Sequence, residues 1–173
     1  TVRNIGASFT DVVLNYADYE KKKGVGFLLN KDFLTIDTKY AGGIEVSDYK
    51  FLKNEFSFDI EEDVPINYGL KTQDFWVGRS FKTKAKLEKY GFKGGTRFIT
   101  STRVDLQDYY DKPYVSADSN YLYHDRKNYL MEIGFSSRVY YQDNYVVNFG
   151  RTEDIPTGTT ISTTFGIQQR EFD

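Results

Sequence analysis

The sequence predicts an antiparallel all-β fold, and three observations predict it. From Tyr129 to Tyr141, the residues Tyr129, Met131, Ile133, Phe135, Val139 and Tyr141 share one parity, while Glu132, Gly134, Ser136, Arg138 and Gln142 hold the other. Successive side chains of a strand point to opposite faces, so this is one apolar and one polar face; a helix would scatter the same residues around its circumference. Second, the chain holds 15 Tyr and 14 Phe against one Met, one Trp and three Pro. Flat rings pack well on a pleated surface. Third, the alternating segments are separated by turn chemistry.

Taken in order, Val12, Leu14 and Tyr16 alternate before the charged tip Glu20-Lys21-Lys22-Lys23-Gly24, and Val25 to Leu29 return from it. Ala41-Gly42-Gly43 precedes a strand with Ile44 and Val46 that extends toward Phe51. Phe56, Phe58 and Ile60 alternate next, and Glu61 to Pro65 is expected to break the chain. Tyr68 to Phe81 sets Phe75, Val77 and Phe81 against Asp74, Gly78 and Ser80, with Trp76 on the more polar parity. Phe98, Thr100, Thr102, Val104 and Leu106 oppose Arg97, Arg103 and Asp105. After the Tyr129 strand, Gln142-Asp143-Asn144 reads as a turn, Tyr145 to Phe149 as a returning strand, and Ile155-Pro156-Thr157-Gly158 as the next turn. Ile161, Thr163, Phe165 and Ile167 then oppose Ser162, Thr164, Gly166 and Gln168. Lys82 to Lys93 and Tyr109 to Lys127 read as long connections. The expected architecture is a meander of about eight to ten strands, with connections alternating between short and long.

At 173 residues with no internal linker, residues 1–173 form a single domain, either one small β-barrel or part of a larger one. Twenty-three basic and 25 acidic residues are interspersed, so there is no nucleic-acid footprint. The local excess Lys82, Lys84, Lys86 and Lys89 reads as a solvated connection first and an anion contact second. Absence of cysteine excludes disulfides and thiolate metal sites. No apolar run reaches the ~18 residues of a spanning helix, but a closed barrel crosses a membrane with a weak alternating pattern. Thr1-Val2-Arg3-Asn4 shows no signal peptide or initiator Met, which suggests a mature protein or a piece of a longer one.

Three features favour a membrane-type barrel over a soluble sheet. The polar parity stays polar over many strands and includes Arg and Glu beside Gly, Ser and Thr, as a lumen wall tolerates. Tyrosines cluster near strand ends (Tyr40, Tyr68, Tyr129, Tyr140, Tyr141 and Tyr145), where interfacial girdles would place them. Several strands run to ten residues or more, as tilted spanning strands do. The competing expectation is a soluble β-sandwich or open barrel that holds a glycan or peptide on exposed Tyr and Trp76.

The segment Thr72-Gln73-Asp74-Phe75-Trp76-Val77-Gly78-Arg79-Ser80-Phe81 resembles stretches of large outer-membrane proteins of Bacteroidota-type bacteria. Phe149-Gly150-Arg151-Thr152-Glu153-Asp154-Ile155-Pro156-Thr157-Gly158 does too, as does Asn30-Lys31-Asp32-Phe33-Leu34 followed by Thr38-Lys39-Tyr40-Ala41-Gly42-Gly43. Those proteins are similar to the surface-antigen and outer-membrane assembly-factor barrels, and the resemblance runs from about Gly24 to Phe172. It implies a non-enzymatic barrel of the bacterial outer membrane, with lipids and further strands or subunits as partners and a role in transport or assembly. The chain departs from the assembly-factor pattern: those barrels carry an Arg-Gly-Phe or Arg-Gly-Tyr tip in the lumen, and no Arg-Gly pair occurs here. The translocation role therefore lacks its motif.

No catalytic, cofactor or metal site is expected. His124 is the only histidine; beside Asp125 it would need a serine to make a lipid hydrolase, and a loop histidine is the simpler reading. The acidic run Asp59, Glu61, Glu62 and Asp63 lacks calcium-loop spacing. Gly24-Val25-Gly26 and Gly94-Gly95 lack the lysine and helix of a phosphate loop. The candidate functional set is a lumen-facing ion-pair network of Asp74, Arg79, Arg97, Arg103, Asp105, Glu132, Arg138, Arg151 and Glu153.

Overall fold

The structure, a computed structural model, describes residues 10–33, 38–57, 62–83, 95–144 and 152–172; within these, the side chains of 55–57, 62–64, 95, 138–144 and 152–156 are not described. Seven antiparallel strands form one sheet in strict meander order: β1 (Thr10–Tyr19), β2 (Lys22–Lys31), β3 (Tyr40–Ser57), β4 (Glu62–Lys82), β5 (Gly95–Tyr110), β6 (Arg126–Asn144) and β7 (Thr152–Arg170). Among the described residues β1 and β7 are the sheet's edges and do not pair with each other, so the sheet is open. The only described helical turn is a 3-10 turn at Tyr121–Tyr123.

The strand count among the described residues is seven rather than eight to ten: Phe56 continues β3 instead of opening a strand, and residues of three predicted turns are strand. Glu62 to Pro65 belongs to β4, with Pro65 opposite Asn54. Pairing with β5 starts only at Gly69, so Pro65 lies where β4 is locally an edge, the place in a sheet that tolerates a residue without an N–H. Pro156 sits in β7 opposite Tyr140 for the same reason, since β7 is an edge. Gln142-Asp143-Asn144 likewise continues β6. The predicted strand Tyr145–Phe149 and the basic connection from Lys84 onward lie outside the described residues.

Register makes the two faces explicit. Val12, Leu29, Ile44, Phe75, Val104, Tyr129 and Ile167 stand directly opposite one another across all seven strands, in one row of one face. The flanking rows of that face hold Leu14, Phe27 and Val46 on one side and Val77, Met131 and Phe165 on the other. No second layer covers it among the described residues: Leu14 and Ile167 are each 73% exposed, Val77 60% and Phe165 50%. Among the described residues the buried apolar side chains are Ala17, Ala41 and Tyr123.

Aromatic rings fold across glycines to knit neighbouring strands, a device that restores packing where a glycine leaves the pleat bare. Trp76 of β4 crosses Gly43 of β3, and its Nε1 donates to Asn30 Oδ1 of β2 at 3.1 Å. Tyr110 of β5 likewise lies over Gly69 of β4, and its hydroxyl donates to Asp48 of β3. A Cβ at Gly43 would run into the indole Nε1 and stand 2.7 Å from Asn30 Oδ1. Gly43→Ala is therefore expected to swing the indole off Asn30 and cost about 1 kcal/mol, the net worth of one hydrogen bond. Trp76 is the only tryptophan, so a red shift of intrinsic emission reads this out directly; an unshifted spectrum refutes it.

Candidate functional site: the polar face

The opposite face is polar and bonds to itself. Its central row is Glu45, Asp74, Asp105, Asn128 and Gln168, one residue from each of β3 to β7. Three carboxylates thus stand side by side, an arrangement that repels unless a cation intervenes. Arg103, from the neighbouring row opposite Trp76, supplies it: its Nε donates to Asp74 Oδ2 at 2.7 Å and its Nη2 donates to the same oxygen. Asp74 is only 5% exposed, and its other oxygen, Oδ1, has no hydrogen-bond partner. Asp105 Oδ2 accepts from Asn128 Nδ2 at 2.8 Å and from Gln107 Nε2 at 3.1 Å. Asn128 Oδ1 in turn accepts from Gln168 Nε2 at 2.8 Å, and Gln168 Oε1 accepts from Arg170 Nε at 3.0 Å. The bonds from Asp105 therefore reach the β7 edge, with the Asp74–Arg103 pair standing beside them in the row.

Three further contacts lie toward the far end of the sheet. Arg97 is buried, its Nε donating to Ser80 Oγ and its Nη2 to Ser80 O at 3.2 Å. Ser101 Oγ donates to Glu132 Oε2 at 3.5 Å, and Ser136 and Thr160 share a hydroxyl bond of 3.0 Å. Phe33, from the segment after β2, folds onto this face and packs its ring over Gly78. Between Phe33, Trp76, Arg103, Leu130, Glu132 and Thr164 lies a recess of about 440 Å³ with hydroxyl, guanidinium and carboxylate groups on an aromatic floor.

The near end of this face, beside the Glu20–Lys21 turn, is closed by the 111–125 connection. Tyr123 packs edge-on against Tyr68 at 5.1 Å, and Tyr68 stacks on Phe51 at 5.2 Å. Lys112 ties the connection down, bonding Asp125 Oδ1 at 3.1 Å and Glu171 Oε2 at 2.6 Å. Asp125 also accepts the Tyr109 amide at 2.7 Å. The Lys112 ammonium, with the Asp125 amide assisting, holds the Glu171 carboxyl below the usual range despite partial desolvation. A depressed carboxylate stabilises the fold above its unfolded pKa, and the contribution is lost as pH falls through the depressed value. Hydrogen-exchange protection of the Asp125 amide is thus expected to be flat above about pH 5 and to fall below about pH 4; protection that rises on acidification contradicts this.

Comparison with protein-family models, with curated proteins and with solved structures finds no match for this chain. Its chemistry is read from geometry alone.

Of the predicted network, the structure brings together Asp74 and Arg103 and places Asp105, Glu132 and Arg97 on the same face. Arg79 is not part of it. It shares the face of Phe75 and Val77, and its guanidinium stacks over the rings of Phe81 (4.7 Å) and Tyr40 (5.2 Å). Arg138 and Glu153 lie on β6 and β7 with side chains not described, and Arg151 lies outside the described residues. Asn128 and Gln168 belong to the network, and Glu45 stands in its row; all three were missed, because strand parity alone does not reveal which residues face each other across strands. His124 is 2% exposed, and its Nε2 lies 3.0 Å from both Ser116 O and Ser119 O. That nitrogen donates to backbone, and the Asp125 carboxylate is taken by Lys112 and Tyr109, so no Ser-His-Asp relay is assembled there. Among the described residues, no group of three or more His, Cys, Asp or Glu side chains could hold a metal ion. No described helix is long and apolar enough to cross a membrane, which does not bear on crossing by strands.

Proposed function

We propose that this chain is the wall of a bacterial outer-membrane β-barrel, non-enzymatic and resembling the surface-antigen superfamily, with lipid on its apolar face and a polar lumen on the other. The observation that carries the reading is the inverted burial: an apolar face continuous over seven strands is open, while the buried charges lie on the polar face. A soluble protein rarely leaves more than a few hundred Å² of contiguous apolar surface uncovered. Hydrocarbon solvates such a face at no cost, and a barrel requires its other face to be polar.

The limits of the apolar band support this. At the near end its polar boundary is Asp18 and Lys23 on β1 and β2, then Asp48, Lys71 and Asp108 two residues further in, then Lys127 and Gln169 two further again. Four residues of drift over six strand spacings is a slant of about 25° at standard strand dimensions. That is the slant of a membrane plane across tilted strands, somewhat below the ~35–45° of closed barrels. On β2 the band runs from Lys23 to Lys31, and on β4 from Lys71 to Arg79. Each spacing is roughly 27 Å along the strand and 21–24 Å along the normal, close to the ~25 Å apolar height of such barrels. Closure requires strands that continue the β1 and β7 edges.

The test uses the absence of cysteine. Single cysteines at Met131, Ile133 and Phe135, and at Glu132, Gly134 and Ser136, are labelled with a fluorophore in vesicles containing brominated lipid. Quenching confined to the odd-numbered set is expected. Equal quenching of both sets, or of neither, refutes the proposal. The soluble glycan- or peptide-binding reading instead requires the odd-numbered set to be dry against a second layer.

A further inference from the structure

Building on the membrane reading, we infer that Arg79, with Tyr40, Phe81 and Lys31, forms a site on the lipid-facing surface for the phosphate of an anionic lipid headgroup. The starting point is an asymmetry between the two ends of the apolar band. At the near end carboxylates stand among the cations: Lys23 pairs with Asp18 at 3.1 Å, Lys50 with Asp111 at 3.0 Å, and Lys71 stands in the ladder between Asp48 and Asp108. At the far end they do not. Arg79 touches only the faces of Tyr40 and Phe81, and neither Arg79 nor Lys31 has a carboxylate within ion-pair distance among the described residues. The acid next to Lys31 in sequence, Asp32, accepts instead from the Asn30 amide at 3.0 Å.

An arginine on an otherwise apolar face needs a reason. Stacking between two rings orients the guanidinium while leaving the N–H fork free at its edge, and that planar fork matches two phosphate oxygens. Lys31 lies in the next row of the same face, with Gly42 between it and Val77. Gly42 contributes no side chain, so the space between the two cations is an open trough roughly 10 Å wide, two strand spacings. One phosphate with its glycerol fits there, reached by Arg79 from one side and the flexible Lys31 stem from the other. The aromatic row Phe81, Phe98 and Phe135, with centroids 6.2 and 5.3 Å apart, continues beside it, as rings do at a headgroup boundary. The height agrees, since Arg79 is the far limit of the band on β4. The end of the sheet that carries Arg79 accordingly faces the leaflet rich in anionic lipid.

The test places a fluorophore on a cysteine at Thr100, directly opposite Arg79 on the same face. A second labelled variant at Ile133, one strand further away, is the reference. The full chain is reconstituted in phosphatidylcholine containing phosphatidylglycerol, with either lipid brominated in turn. Quenching by phosphatidylglycerol relative to phosphatidylcholine is expected to be about fivefold higher at Thr100 than at Ile133, the gain of one basic residue near a charged lipid surface. Arg79→Gln should remove that enrichment, whereas Arg79→Lys, which keeps the charge, should retain part of it. Equal quenching by the two lipids at Thr100 overturns the headgroup site while leaving the lipid-facing reading intact. So does an Arg79→Gln variant with undiminished enrichment, or an Arg79→Lys variant that loses as much as Gln, which would assign the arginine to ring packing alone. Enrichment abolished by 10 mM inorganic phosphate would identify a free-anion site and overturn the lipid assignment. No quenching by either lipid at either position rejects the membrane reading itself, and this site with it.

Discussion

Met131→Arg is expected to destabilise the chain in vesicles by about 2–4 kcal/mol, the cost of a basic side chain near the midplane of a barrel's lipid face. Met131 stands mid-band on β6, between Thr102 of β5 and Phe165 of β7, and the charged boundary on that strand is at Lys127. The arginine would meet hydrocarbon in every direction, with no described carboxylate in its row. Thr164→Lys on the other face is the matched control: Thr164 lies directly opposite Glu132, and the new ammonium gains a partner in a polar setting. Its effect should stay within about 0.5 kcal/mol. Urea titration of both variants in the same vesicles compares the two faces. If Met131→Arg is neutral or stabilising, the face is wet and the lipid reading fails.

The second large effect is on the polar face. Arg103→Met removes the one cation bonded to Asp74, which is buried and already has an unpaired oxygen, with Glu45 and Asp105 directly across from it. Breaking a buried pair from one side costs about 3–5 kcal/mol, because the remaining charge is left desolvated. Arg103 is half exposed (53%), so water screens part of this and about 2–4 kcal/mol is the better figure. Arg103→Met combined with Asp74→Leu should recover most of the loss, since the orphaned charge goes with its partner. A double variant no more stable than Arg103→Met shows that Asp74 is not the group Arg103 serves.

Both effects depend on which residues share a face, and that much was legible in the sequence. Tyr129 to Tyr141 and Ile161 to Ile167 alternate cleanly because a strand side chain has only two directions, so parity alone assigns each residue to one of two sets. Pro65 and Pro156 misled for a physical reason: proline breaks a strand only where its N–H would be bonded, and edge position is a property of the neighbours. Arg79 misled differently. Its parity is that of Phe75 and Val77, but pairing arginine with acid by type placed it in the polar network, whereas its contacts are Tyr40 and Phe81.

Local periodicity and turn chemistry dictate an antiparallel all-β meander with one apolar and one polar set of side chains. Only the tertiary structure decided that the apolar set lies open, that Glu45, Asp74 and Asp105 stand in one row served by Arg103, and that Trp76 reaches Asn30 over Gly43. Those facts rest on inter-strand register. A shift of two residues preserves every parity and yet exchanges every cross-strand partner, so periodicity is blind to it and only packed, paired strands fix it.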